Sequence, residues 1–290
     1  MIYVGTCGFS YKEWIGPFYP RTAKPSAMLE FYARKFAAVE IDSSAYGVPS
    51  QRSVASMVAR TPVTFRFTFK LPQTVTHPAD PNSLVVHDDV KLLLESVQPA
   101  IERGKLGGLL AQFPNGFKPE GNREAYLRRV LDVLESVPVA IEFRNERWQR
   151  PETLAMLREM GASYVNVDMP RLEGLLHASS EVTGPIGYVR FHGRNAKTWW
   201  RGTNVTRYDY LYDERELAPW AARIADIEAE ARDTYVFFNN HANGKAAKNA
   251  EMMELLLEDS YGPAAEEVVA RPEPAADMAQ TSFNFNDPGA

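Results

Sequence analysis

The sequence predicts a (β/α)₈ barrel of the TIM type, an α/β fold, on three observations. Short runs rich in β-branched and aromatic residues recur eight times. Most are separated by stretches with helical periodicity. Six of the eight runs carry alternating polar and apolar residues at the same end. Strands alternating with helices build parallel sheets, and eight of them close into a cylinder. The other architecture that alternation permits is an open doubly wound sheet.

Taken in order, Ile2–Cys7 opens the chain as a strand, and a helical pattern follows at Ala27–Phe36. Strand two is Val39–Asp42. Ser50 stands where an N-cap belongs, ahead of a helix over Gln51–Ala59. Strand three is Thr64–Lys70, followed by a helix over Asp88–Arg103; strand four is Gly108–Phe113, followed by a helix over Arg123–Ser136. Strand five, Val139–Arg144, precedes Pro151 and Glu152, which suit the first turn of a helix over Glu152–Met160. Strand six is Ser163–Asp168. The next link contains Pro170, Gly174, Gly184 and Pro185, so a slightly irregular barrel is expected between strands six and seven. Strand seven, Tyr188–His192, leads to a helix over Glu214–Ala231; strand eight, Tyr235–His241, leads to one over Lys245–Glu258. The barrel domain is expected to occupy residues 1–262. Residues 263–290 are rich in Ala, Glu and Pro without periodicity, and too little apolar surface is present to offset their ordering entropy, so a disordered tail is expected.

Composition narrows the function classes. A chain of 290 residues with 45% hydrophobic content supports one large core. The net charge of −5 provides no global attraction to nucleic acid or anionic lipid, so such binding requires a local patch. No apolar run approaches a membrane span, and the N-terminal segment reads as a strand rather than a leader. A cytoplasmic location is the default expectation. The single cysteine, Cys7, excludes an intramolecular disulfide and a cysteine-built zinc site. It reads as a packed small residue, since no partner base is evident.

The strand ends carry the functional signal: Glu40-Ile41-Asp42, Arg66-Phe67-Thr68-Phe69-Lys70, Glu142-Phe143-Arg144, Asn166-Val167-Asp168, Arg190-Phe191-His192 and Asn239-Asn240-His241. Successive side chains on a strand point to opposite faces, so each apolar middle residue is expected to face the helices and its polar neighbours the barrel interior. Barrel sites form at this C-terminal end. The inward set balances Glu40, Asp42, Glu142 and Asp168 against Arg66, Lys70, Arg144 and Arg190. Loop residues Arg147, Arg194, Lys197 and Arg201, interleaved with Trp148, Trp199 and Trp200, then make the mouth electropositive and aromatic. A self-neutralised network that merely fills the barrel is the competing explanation, with Arg66 and Asp42 its most structural members. Arg144, Asp168, Arg190, His192 and His241 are the strongest site candidates.

Longer motifs surround these residues: Gly5-Thr6-Cys7-Gly8-Phe9-Ser10-Tyr11-Lys12-Glu13-Trp14 with Phe18-Tyr19-Pro20, and Val39-Glu40-Ile41-Asp42-Ser43-Ser44-Ala45-Tyr46. Further along stand Phe69-Lys70 with Thr76-His77, Glu142-Phe143-Arg144 with Trp148, Arg190-Phe191-His192-Gly193-Arg194, Phe237-Phe238-Asn239-Asn240-His241 and Asn249-Ala250. In these the chain resembles the YecE-like family, domain-of-unknown-function family 72, across the whole expected barrel. The resemblance implies a barrel fold and a shared polar pocket, and no particular reaction. A common family form has Asn-Ser-Thr-Phe-Tyr where this chain has Asp42-Ser43-Ser44-Ala45-Tyr46, which adds a carboxylate at the pocket.

Three chemistries fit such a pocket. In the first, a phosphate-bearing small molecule or nucleic acid is bound or hydrolysed. Arg144, Arg190 and Arg194, with Lys70, Glu40 and Asn239 alongside, would hold the ligand, and Trp148, Trp199 or Trp200 would stack against it. Glu142 or Asp168 would serve as base and His192 or His241 as acid. No cofactor is expected. A divalent-metal version would draw on Glu142, Asp168, His192 and His241, but arginines beside the cation oppose it. In the second, a glycoside-processing enzyme uses Glu40 or Glu142 with Asp168. In the third, the protein is a non-catalytic adaptor whose tail, Gln280-Thr281-Ser282-Phe283-Asn284-Phe285, docks on a replication sliding clamp through Gln280, Phe283 and Phe285.

Overall fold

Eight parallel strands hydrogen-bond in chain order and close on one another, β1 pairing with β8, in the computed structural model of the protein. It describes residues 1–78, 80 and 85–272. The strands are β1 Ile2–Cys7, β2 Ala38–Ile41, β3 Arg66–Lys70, β4 Leu106–Gln112, β5 Val139–Glu142, β6 Ser163–Asp168, β7 Ile186–Phe191 and β8 Asp233–Phe238. The helices are α1 Met28–Ala33, α2 Gln51–Ala59, α3 Gln73–Thr76, α4 Asp89–Glu102, α5 Arg123–Val133, α6 Pro151–Glu159, α7 Asn204–Arg207, α8 Glu214–Glu230, α9 Lys245–Tyr261 and α10 Ala265–Val268. The closed barrel excludes the open doubly wound sheet.

Local chemistry fixes several of these elements. The Ser50 hydroxyl accepts from Ser53 N and caps α2. Asp213 and Glu216 form a reciprocal capping box at the start of α8, satisfying two otherwise unpaired backbone donors. No helix covers the chain between β6 and β7, as the Pro and Gly content of that link implies. No helix of the described chain is long and apolar enough to cross a membrane.

The barrel interior is graded along its axis. At the N-terminal end Tyr3 stacks on Tyr235 at 5.2 Å, with the Arg66 guanidinium 5.5 Å from the Tyr3 ring. Tyr188 packs on Phe237 above them. Charged groups fill the C-terminal end. Registered partners on adjacent parallel strands point to the same face, so the pairing Glu40↔Thr68, with the Thr68 hydroxyl on Tyr188, confirms the inward aim of Glu40.

Strand β6 departs from the expected pattern. Val165 pairs with inward Tyr188 and Val167 with inward Arg190, so the two valines face the barrel interior and Asn166 and Asp168 face outward. Their partners agree: Asn166 binds Glu181 N and O, and Asp168 accepts from Trp220 on α8. The outer face of β6 meets an irregular segment whose backbone groups need partners, so polar side chains belong there.

The ordered chain also runs past the expected boundary at residue 262. Val269 bridges to Ile2 and is fully buried, and Ala270 N donates to Ile2 O at 2.8 Å. Gln280, Phe283 and Phe285 lie outside the described residues.

Candidate functional site

Arg190 organises the C-terminal end of the barrel. Its Nη1 donates to Glu142 Oε2 and its Nη2 to Glu40 Oε1, both at 2.6 Å. Asp42 lies 3.6 Å from the same Nη2 and 3.4 Å from Lys70 Nζ. Arg144 Nε pairs with Glu142. The barrel-top set is therefore Glu40, Asp42 and Glu142 against Lys70, Arg144 and Arg190, an even balance without Asp168. Tyr188 donates to Glu40 at 2.6 Å.

Environment drives the two bridged carboxylates apart. Burial raises Glu40 above the usual carboxylate range, more than Arg190 can lower it. Burial also acts on Glu142, but Arg144, Arg190 and His192 outweigh it and hold that carboxyl well below its ordinary value. His192 Nδ1 lies 3.1 Å from the Asn239 amide nitrogen, which can only donate, so the imidazole proton sits on Nε2, which donates to Glu142 Oε1 at 3.1 Å. Burial, reinforced by Arg144, lowers the His192 pKa to about 3. The ring is neutral over the physiological range.

Seven of the candidate residues thus meet: Glu40, Lys70, Glu142, Arg144, Arg190, His192 and Asn239. Five do not join them. Asp168 faces outward and receives Arg194 Nε and Nη2, Tyr212 Oη and Trp220 Nε1, so Arg194 is drawn to the flank with it. Trp148 is a core residue, stacked between Phe117 at 5.6 Å and Phe143 at 4.4 Å, with Nε1 donating to Phe117 O. His241 stacks on Tyr11 at 4.9 Å, with Nδ1 3.7 Å from Glu13, at the rim. Trp199 is buried at the mouth, on the loop side of the cavity rather than within the charged cluster.

The four residues considered as metal ligands are consequently split between the interior, the rim and the flank. Among the described residues, one group has ligand spacing: Cys7, Glu40 and Asp42, whose donor atoms lie within 4.8 Å of one another. Arg190 Nη2 already sits 3.3 Å from Cys7 Sγ and binds the two carboxylates, so a guanidinium occupies the cation position. The residues do not fit a resident metal ion.

A strap, residues 193–212, crosses the mouth. Gly193, at φ 81°, turns the chain away from β7, and an added Cβ would stand 2.7 Å from Tyr210 Cβ. Asn249 anchors the far end through both backbone groups of Tyr212 and also accepts from Asn240. Beneath the strap lies a cavity of about 230 Å³. Arg144, Arg207, Trp199, Trp200 and Tyr208 line it, with Gln112, Asn115 and His77 on the barrel side. No carboxylate lines it among the described residues. Arg207, Tyr208, Gln112 and Asn115 escape sequence reasoning, because the first two end and cap α7, a helix of four residues too short to show periodicity, and the others are neutral. The spacing of Tyr208, Tyr210 and Tyr212 is the signal that could have marked the strap.

Comparison with known proteins agrees with this architecture. The family described as "Protein of unknown function DUF72" matches residues 3–276. The UPF0759 protein YunF of Bacillus subtilis (strain 168) is 32% identical over 279 residues, covering 90% of this chain and 96% of that protein. The UPF0759 protein YecE of Escherichia coli O157:H7 is 34% identical over 68% of this chain and 76% of its own length. Among solved structures, a DUF72 family protein from Thermotoga maritima MSB8 is 38% identical and superposes with a TM-score of 0.81, covering 89% of this chain and 99% of that one. One from Enterococcus faecalis V583 is 30% identical with a TM-score of 0.78, covering 89% and 96%. The chain belongs to the DUF72 family.

Proposed function

We propose that the barrel mouth binds a phosphate-bearing ligand with a flat ring, of the nucleotide class. One observation carries this reading: the cavity under the strap is lined by two arginines, two tryptophans and a tyrosine with no carboxylate. Guanidinium groups match phosphate oxygens, and aromatic faces stack on bases. Arg207 supports it further, since its buried Nε has no hydrogen-bond partner. A buried donor without a partner is costly, and an anion would satisfy it.

The same geometry favours recognition over hydrolysis. A general base needs an accessible oxygen and a pKa near the working pH. Glu142 is fully buried, held low, and has both oxygens engaged by Arg144, Arg190 and His192. His192 is sealed and neutral, and its one ring proton is held against Glu142, so it is not the imidazolium that a general acid requires. Glycoside chemistry has weaker support, because Glu40 and Glu142 are both sealed and Asp168 faces the flank.

A thermal-shift panel of adenosine monophosphate, ribose 5-phosphate, glucose and a short single-stranded oligonucleotide tests the reading. Stabilisation by the nucleotide that is lost in Arg207→Ala supports it. Stabilisation by glucose alone, or an unchanged response in Arg207→Ala, overturns it.

A further inference from the structure

A second cavity, of about 500 Å³, opens on the flank of the barrel outside β6. Arg171, Arg194 and Arg223 line it, together with Asp168 and an apolar wall of Met169 and Leu176. It lies across β6 from the charged barrel interior, since Asp168 and Arg190 point to opposite faces of the sheet.

The three arginines differ in what holds them. Arg194 is fixed by a two-toothed grip on Asp168, Nε at 2.8 Å and Nη2 at 2.6 Å, and by Glu216 at 3.2 Å. Asp168 is itself clamped by Tyr212 at 2.7 Å and Trp220 at 2.9 Å, so this wall is rigid and needs no reorganisation. Arg223 lies over the Trp220 ring at 5.7 Å. Arg171 and Arg223 form no ion pair among the described residues. Asp168 and Glu216 both bear on Arg194, so Arg171 and Arg223 carry the two positive charges without a carboxylate partner among the described residues. A phosphate monoester carries about that much negative charge at neutral pH.

We infer that this flank cavity is a binding site for a small phosphate monoester whose organic part packs on Met169 and Leu176. Arg194 provides a preset donor surface, and Arg171 and Arg223 close on the phosphate from either side. The site is independent of the mouth reading, because the two cavities share no lining residue.

Isothermal titration with phenyl phosphate decides it, using the Arg207→Ala chain so that the mouth is weakened. One equivalent is expected to bind. Arg171→Ala with Arg223→Ala on that background is expected to weaken binding at least tenfold, and phenyl methyl phosphate, with a single negative charge, to bind at least fivefold more weakly than the monoester. Both arginines are at least partly exposed, so their removal leaves the fold intact. No binding in the Arg207→Ala chain, or equal binding with and without Arg171 and Arg223, overturns the inference. Failure of nucleotides to bind the wild-type mouth with phenyl phosphate binding retained would sink only the mouth reading.

Discussion

Arg190 donates to Glu142 at 2.6 Å while its second terminal nitrogen reaches Glu40 at the same distance. One fully buried guanidinium therefore bridges two fully buried carboxylates, from β2 and β5. Removing one partner from such a set leaves uncompensated buried charge, at a cost of roughly 3–5 kcal/mol. Arg190→Met is expected to lower unfolding stability by that amount in urea titrations. The double variant Arg190→Met, Glu40→Gln removes one charge of each sign, keeps the Arg144–Glu142 pair, and is expected to recover a substantial part of the loss. If the double variant is less stable than the single one, the stranded Glu40 carboxylate is not the cause.

His192 makes stability depend on acid. Its pKa is depressed from the ordinary 6.5 to about 3 in the folded chain, so between these values the unfolded chain binds a proton that the folded chain refuses. Stability therefore rises with pH across that window and is lost on acidification below 6.5, by up to about 1.4 kcal/mol per pH unit from this group. Glu142, held low, loses its contribution as pH falls below the ordinary carboxylate range, whereas raised Glu40 acts in the opposite direction. His192→Asn is expected to flatten the slope between pH 6.5 and 5, read from urea midpoints. Parallel slopes in the two proteins would contradict the neutral, buried assignment.

The barrel was legible in the sequence because alternation of β-rich and helical runs is a global pattern, and β1 and β6 begin and end where periodicity places them. The site was legible on β2, β3, β5 and β7, where inward polar residues alternate with outward Ile41, Phe69, Phe143 and Phe191. It failed on β6 for a physical reason. Alternation shows that two faces differ, not which faces inward, and the usual assumption is that the helix-facing side is apolar. No helix follows β6 before β7, so its outer face meets the irregular link and the polar edge of Trp220 on α8 and carries Asn166 and Asp168, while its inner face carries valines. Trp148 failed differently: a tryptophan beside a strand end reads the same whether it lines a mouth or packs between Phe117 and Phe143.

The strap depends on backbone geometry at Gly193. A left-handed conformation costs a residue with a Cβ about 1–2 kcal/mol, and here the added carbon would also meet Tyr210. Gly193→Ala is expected to destabilise the strap locally by about that amount, displacing Tyr208 and Arg207 while the global stability of the barrel stays unchanged. Hydrogen exchange should show faster exchange over residues 193–212 with β1–β8 unchanged. Uniform acceleration across the barrel would mean that the strap and barrel are one cooperative unit.

The tryptophans at positions 148 and 200 separate packing from recognition. Trp148 is fully buried in a three-ring stack, so Trp148→Ala is expected to cost about 3–5 kcal/mol in unfolding experiments. Trp200 lines the mouth with 53% of its surface exposed, so it contributes little to the core. Trp200→Ala is expected to change stability by no more than about 0.5 kcal/mol. Loss of one stacking partner is worth about 1–3 kcal/mol of affinity, so the same change should weaken adenosine monophosphate binding by roughly 5- to 150-fold. Ribose 5-phosphate, which has no base to stack, should bind Trp200→Ala and the wild-type protein alike. Equal losses for the two ligands would show that Trp200 shapes the cavity rather than stacks in it.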